Sequence, residues 1–121
     1  MSKKILFVDD DVAILDLIKQ LLEKAGYAAI IANNVDEALR LAEDAPVNVM
    51  VIDVNLAGDS GLMLMNFMMH NHKGVPVILY SGLPFDQTGV EKLLARGASK
   101  FVQKHNGSEL VDAVKQLCPL N

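Results

Sequence analysis

Short apolar runs alternate along this chain with stretches in which apolar residues recur every three or four positions. The runs are rich in β-branched residues and predict five strands, at residues 5–8, 27–32, 47–54, 75–80 and 101–103. The periodic stretches predict one helix after each strand. The third is expected over about residues 62–69, and the fourth begins within 85–90. Such alternation is typical of a parallel sheet covered by helices on both faces.

Polar residues and one glycine mark several helix ends. Asn34 with Glu37, and Asn106 with Glu109, have the spacing of a capping box, in which the first side chain accepts a hydrogen bond from the helix backbone. Gly26 stands where helices commonly end in a left-handed residue. These signals agree with the helix positions that the periodicity predicts.

The composition is typical of one globular domain within a cell. Of 121 residues, 51% are apolar and 21% are charged. The formal charge of −4 argues against direct nucleic-acid binding, which needs a basic face. The single cysteine, Cys118, excludes an internal disulfide and fits the reducing cytoplasm. No apolar run approaches the roughly 20 residues of a membrane span, so we expect a cytoplasmic domain without a membrane partner.

Acidic residues directly follow two of the predicted strands. Asp9, Asp10 and Asp11 come after the first strand, and Asp53 lies at the end of the third. Ligands of doubly wound sheets bind outside the carboxyl ends of the strands, where these acids would meet. Like charges packed together are costly unless a cation neutralises them, which indicates a metal site.

Two further polar residues complete the predicted site. Ser81 follows the fourth strand and Lys104 follows the fifth. Carboxylates can hold a hard cation on oxygen ligands, and Mg²⁺ also accepts phosphate oxygens, which a hydroxyl and an ammonium could bind. Phosphoryl transfer needs mainly positioning and charge stabilisation, and a carboxylate can itself be the acceptor.

Each of these residues has a simpler interpretation when it is taken alone. Asp9 and Asp10 would be caps of the following helix, as we expect for Asp11. Ser81 would be a turn residue and Lys104 a surface lysine. Only their joint occurrence at four strand ends favours a functional site.

The pieces of this pattern occur in a fixed order: ILFVDD at 5–10, VID at 51–53, Gly61, VPVI at 75–78, Ser81-Gly82, Gly97-Ala98, Phe101 and Lys104. In this order and spacing the chain resembles the receiver domain of two-component response regulators, from Lys4 to about Leu117. The resemblance implies a flavodoxin-like α/β fold: one doubly wound five-stranded parallel sheet, order 2-1-3-4-5, with five helices. It also implies that residues 1–121 are one receiver domain, with no output domain in this chain.

The resemblance implies a role for each site residue. Asp53 would be the phospho-acceptor, Lys104 would pair with a phosphoryl oxygen, and Ser81 would bind another. Ser81 and Phe101 would also form a conformational switch, in which the ring at position 101 turns inward when the Ser81 hydroxyl moves. The Mg²⁺ ligands would be Asp9, acting through water, Asp10 and Asp53, together with the backbone carbonyl of Asn55.

The implied partners are a histidine kinase or phosphotransfer protein as phosphoryl donor, and a downstream target or a covalently linked output domain in a longer parent chain. The resemblance also implies that the chain is not a turnover enzyme. Its chemistry would be limited to self-catalysed phosphoryl acceptance and autodephosphorylation.

The chain departs from the family pattern at four positions. His105 replaces the proline that usually follows the lysine, where the peptide bond is usually cis, and Ala57 stands where proline is common. Phe101 lacks a tyrosine hydroxyl, so a switch there rests on packing. Leu83, two residues past Ser81, lies at a position that tunes dephosphorylation in the family.

Two other functions remain open at this point. A phosphorylation-independent interaction domain with a receiver fold would explain His105 and Ala57, but not the retained acids, Ser81 and Lys104. A metal-dependent phosphatase of similar topology would need a second catalytic acid two residues past the nucleophile, where this chain has Asn55.

Overall fold

Five parallel strands form the main sheet in a computed structural model, which describes residues 3–56, 58–104 and 106–120. The strands are β1 (Lys4–Val8), β2 (Ala28–Ala32), β3 (Val49–Asp53), β4 (Val77–Ser81) and β5 (Lys100–Gln103). The helices are α1 (Val12–Lys24), α2 (Val35–Asp44), α3 (Gly61–Asn71), α4 (Gln87–Ala95) and α5 (Gly107–Leu117). The strand order β2-β1-β3-β4-β5 confirms the predicted doubly wound, flavodoxin-like α/β fold.

The two faces of the sheet carry separate apolar clusters, because successive strand residues point to opposite sides. Leu6, Val8, Met50 and Ile52 belong to the cluster beneath α2, α3 and α4, whereas their neighbours along β1 and β3 belong to the cluster beneath α1 and α5. All residues of β3 are buried. This burial on both faces explains why the central strands read as continuous apolar runs.

The helices differ in how firmly they are anchored. Helix α3 buries Met65 and Met68 as well as Leu64, whereas α4 buries one side chain, Leu93. No described helix has both the length and the apolar character that crossing a membrane would require.

The helix ends marked by polar residues and by Gly26 are confirmed, whereas α3 covers Gly61–Asn71 rather than about residues 62–69. Asp11, Asn34 and Asn106 cap α1, α2 and α5, each accepting hydrogen bonds from backbone N–H groups of the first turn. Gly26 follows α1 with φ of 104°, as expected for a left-handed residue. Helix α4 begins after its cap Asp86, within the predicted range of residues 85–90.

Some strand boundaries were predicted wrongly. β3 begins at Val49 rather than at residue 47, and β4 covers Val77–Ser81 rather than residues 75–80. Pro76 lacks an N–H donor and lies outside the ladder of β4. Ser81 is in the ladder because it pairs with Gln103 of β5.

A small hairpin after β3 was predicted as a loop. Asn55–Leu56 pairs antiparallel with Asp59–Ser60, and the chain then passes directly into α3. Gly61, the first residue of α3, donates its N–H to the Val54 carbonyl, and a Cβ at this position would overlap the Asp53 carbonyl. Only glycine permits this close approach. The departures at Ala57 and His105, including the Lys104–His105 peptide bond, lie outside the described residues.

Candidate functional site

The site residues predicted from the sequence lie together at the carboxyl ends of four strands. Asp53 and Ser81 are the last residues of β3 and β4, and Asp9 and Lys104 directly follow β1 and β5. An open cavity of about 460 Å³ at this edge is lined by Asp10, Asp11, Asp53, Asn55, Ser81, Gly82, Leu83 and Lys104. The geometry therefore brings together the residues that the sequence predicted to converge.

Three polar side chains of the site are buried. The exposed fractions are 0% for Asp9, 2% for Asp53 and 0% for Ser81, whereas Asp10 is exposed. Asp9 continues the ladder beyond β1, because its N–H donates to the Ala32 carbonyl at 3.1 Å. Buried acids need a partner charge or hydrogen bonds, and the surroundings of Asp9 and Asp53 provide both.

Lys104 is an ion-pair partner of both buried carboxylates. Its Nζ lies 2.9 Å from Oδ2 of Asp53 and 2.8 Å from Oδ2 of Asp9. The other carboxylate oxygens accept backbone hydrogen bonds, from Asn55 N–H to Asp53 and from Asp11 N–H to Asp9. One ammonium therefore faces two carboxylates that the backbone holds in fixed orientations.

The charges of Asp9, Asp53 and Lys104 do not balance, because two carboxylates face one ammonium. Burial raises the pKa of the Asp9 carboxyl, and the charge of Asp53 raises it further, although contacts with Lys104 and the Asp11 N–H act in the opposite direction. Burial acts to lower the pKa of Lys104, but hydrogen bonds and charges from Asp9 and Asp53 outweigh it and leave that pKa raised. A further cation would stabilise the site.

The donor set fits a hard divalent cation. One carboxylate oxygen from each of Asp9, Asp10 and Asp53 lies within 4.8 Å of the other two. Oδ2 of Asp9 is buried, and the ammonium that faces it at 2.8 Å, Lys104 Nζ, is shared with Asp53. A cation would satisfy this oxygen, and three acids with room for water match the preference of Mg²⁺.

Ser81 is oriented by the turn that follows β4. Its Oγ accepts a hydrogen bond from Leu83 N–H at 3.0 Å, and its carbonyl accepts one from Lys104 N–H at 2.7 Å. The hydroxyl proton is a donor that can turn toward an anion in the cavity.

Phe101 lies beside the segment between β4 and α4. Its half-buried ring meets the ring of Phe85 edge to face, with centroids 5.4 Å apart. Phe101, which was predicted to take part in the switch, therefore contacts the segment that joins Ser81 to α4.

Two neighbours of the site were missed in the sequence. Phe85 packs on Phe101, and Gln103 donates from Nε2 to the carbonyls of Ser81 and Leu83. The alternation of a strand puts Gln103 on the same face as Phe101. That alternation gives no sign of the turn to which Gln103 bonds.

Comparison with known proteins agrees with this geometry. Residues 5–115 match the response regulator receiver domain. NtrX of Azorhizobium caulinodans is 35% identical over 114 residues, which cover 92% of this chain and 25% of that protein. VanR of Enterococcus faecium is 31% identical over 118 residues, covering 95% of this chain and 49% of that protein. The chain thus spans a quarter to a half of these relatives.

Solved structures show the same fold. The receiver domain of Francisella response regulator 1452 superposes with a TM-score of 0.87 at 28% identity, covering 96% of both chains. TrrA of Thermotoga maritima, solved in complex with Mg²⁺-BeF, gives a TM-score of 0.83 at 30% identity, covering 95% of this chain and 98% of that one. By sequence, fold and arrangement of acids, the chain belongs to the response regulator receiver domain family.

Proposed function

We propose that this domain is a phosphorylation-dependent switch of a two-component system, in which Asp53 accepts a phosphoryl group in the presence of Mg²⁺. The observation that carries the proposal is the contact of Asp53 with Lys104 inside a cavity that also holds two further acids. TrrA, which shares the fold, has been solved with Mg²⁺ and a beryllium fluoride.

The transfer would form a bond between a carboxylate oxygen of Asp53 and phosphorus, while the bond from phosphorus to the donor breaks. The Lys104 ammonium would bind one phosphoryl oxygen, and the Ser81 hydroxyl would donate to another. Mg²⁺, held by Asp9, Asp10, Asp53 and the Asn55 carbonyl, would supply neutralising positive charge. The backbone bond from Asn55 N–H keeps the Asp53 carboxylate oriented toward the cavity.

Ser81 would transmit the event to the face of β4, β5 and α4. Donation to a phosphoryl oxygen would draw the hydroxyl toward the cavity, together with the Leu83 N–H that is bonded to its oxygen. Phe101 and Phe85 pack beside this turn, so a change at Ser81 would alter their packing. The phosphoryl charge would thereby shift the balance between two arrangements of this face.

The partners of the proposal follow from this chemistry. The phosphoryl donor would be a histidine kinase or phosphotransfer protein in the cytoplasm, and the domain would not turn over a metabolite. The receiver of the signal would be a separate target or an output domain in a longer parent chain. Support for the latter comes from NtrX and VanR, which extend well beyond the matched region.

The test is intact-mass analysis after incubation with Mg²⁺ and a small acyl-phosphate donor. We expect a gain of one phosphoryl group that disappears with a chelator and in Asp53→Asn, but persists in Asp112→Asn, a change of an exposed acid on α5. No gain, together with no binding of beryllofluoride, would contradict the proposal. No observation on the described residues favours the interaction domain or the phosphatase.

A further inference from the structure

The turn after β4 is fastened by a side chain of the neighbouring strand. Nε2 of Gln103 donates to the carbonyl of Ser81 at 2.9 Å and to the carbonyl of Leu83 at 3.1 Å. The Ser81 carbonyl also accepts Lys104 N–H at 2.7 Å, so both of its lone pairs are engaged. Gln103 therefore ties the end of the β4 ladder and the turn beyond it to β5.

Leu83 is held through both polar groups of its backbone. Its N–H donates to Ser81 Oγ, and its carbonyl accepts from Gln103. The side chain is 45% exposed and lines the cavity that contains Asp53 and Lys104. An apolar side chain exposed beside charged groups gains little stability from burial, whereas it restricts the space that water can occupy.

We infer that Gln103 is a positioning residue, which holds Leu83 in the wall of the cavity and thereby slows hydrolysis of a phosphoryl group on Asp53. The inference rests on the proposed function. In hydrolysis, a water oxygen bonds to phosphorus as the bond from phosphorus to Asp53 breaks. The carboxylate leaves with the electron pair, and the proton of water passes to the phosphate or to solvent. Water must enter in line with the breaking bond, from the open side of the cavity.

Loss of the Gln103 amide would free the Leu83 carbonyl and let the turn move. Leu83 would then leave its position for part of the time, and water would reach the phosphoryl group more often. The ion pairs of Lys104 with Asp9 and Asp53 use none of the groups that the Gln103 carboxamide bonds, so we expect this pairing to remain. The expected signature is faster loss of phosphate with unchanged binding at the site.

The experiment follows decay of the phosphorylated chain by intact mass after the acyl-phosphate donor is removed. The variants are Gln103→Met, which keeps the size but lacks the donor, Leu83→Ala, and the double variant. Gln20→Met, an exposed position on α1, is the matched control. Gln103→Thr, which suits a strand but cannot reach the turn, is a second variant should Gln103→Met fold poorly.

We expect Gln103→Met to shorten the phosphoryl half-life about threefold, as the loss of one or two partly exposed hydrogen bonds would allow. If Gln103 acts through Leu83, the double variant decays at the rate of Leu83→Ala alone. Beryllofluoride affinity equal to that of the unaltered chain supports an intact site.

An unchanged half-life in Gln103→Met, or effects that multiply in the double variant, would overturn the inference while leaving the proposed function standing. A merely structural role of Gln103 would lower thermal stability without changing the half-life, which also overturns it. Failure of the unaltered chain to gain a phosphoryl group contradicts both proposals.

Discussion

Lys104 reaches across β4 to place its Nζ 2.9 Å from Oδ2 of Asp53, a residue 51 positions earlier in the chain. The same ammonium lies 2.8 Å from Asp9, beside the far strand β1. The carboxylates at two strand ends thus share one counterion, which the end of a third strand supplies. Because the two carboxylates are buried, the stability of the metal-free protein depends on this lysine.

Replacing Lys104 by methionine should destabilise the metal-free domain. Two buried carboxylates would lose their shared cation, and we expect the free energy of unfolding to fall by about 3 kcal/mol. Mg²⁺ should restore stability in this variant more than it stabilises the unaltered chain, since it would be the remaining cation for the acids. Urea denaturation with and without Mg²⁺ measures both effects.

The matched control is Lys73→Met, a change of an exposed lysine outside the site. It should alter the free energy of unfolding by less than about 0.5 kcal/mol, with the same Mg²⁺ response as the unaltered chain. A Lys104→Met protein as stable as this control would show that the ion pair contributes nothing.

The raised pKa of Asp9 should appear in the pH dependence of stability. At pH values above 3.8, the ordinary pKa of this carboxyl, the folded state binds more protons at Asp9 than the unfolded state does. The contribution of this group to the free energy of unfolding therefore falls as pH rises through that window. In chelator, Asp9→Asn should gain stability relative to the unaltered chain as the pH is raised from about 4 toward neutral.

Urea titrations at several pH values measure this difference, with Asp16→Asn on the exposed face of α1 as the control. A difference that stays constant with pH would mean that burial of Asp9 has no net effect on its protonation.

Gly61→Ala should be among the most destabilising single substitutions in the domain. The added Cβ would overlap the carbonyl of Asp53 and crowd that of Val54, and backbone atoms cannot move aside by changing rotamer. We expect a loss of about 3 kcal/mol, measured by thermal or urea denaturation. Gly58→Asn is the control and should cost much less stability. Its φ is +74°, which asparagine tolerates, and no described atom lies within 4 Å of an added Cβ.

Tyr27→Phe tests a hydrogen bond that joins the segment between α1 and β2 to the residue after α5. The Tyr27 hydroxyl donates to the Cys118 carbonyl at 2.7 Å in a buried setting. Its removal leaves that carbonyl without this donor and should cost about 1–2 kcal/mol in urea denaturation. Cys118→Ala keeps the carbonyl, so the same cost should appear in that background, and a much smaller cost there would implicate the thiol instead.

Much of the fold could be predicted because the central strands are buried on both faces of the sheet, which requires apolar residues at successive positions. β1 and β3 read as unbroken apolar runs, and Asp9 and Asp53 mark where those runs meet the cavity. The contacts of Gln103 could not be predicted, because they depend on the path of the turn after Ser81. The hairpin at Asn55–Leu56 is too short to show a period, and the Phe85 ring gives no local sign of its partner.

The contrast between β3 and α4 has a consequence for hydrogen exchange. β3 is buried along its whole length and paired on both sides, so its amides should exchange only when the entire domain unfolds. Helix α4, with Leu93 as its one buried side chain, can open locally at a fraction of that free energy. The residue that would carry the phosphoryl group thus belongs to the slowest-exchanging part of the molecule. Helix α4 belongs to the fast-exchanging part, and it is joined to the cavity by the turn at Ser81, Gly82 and Leu83.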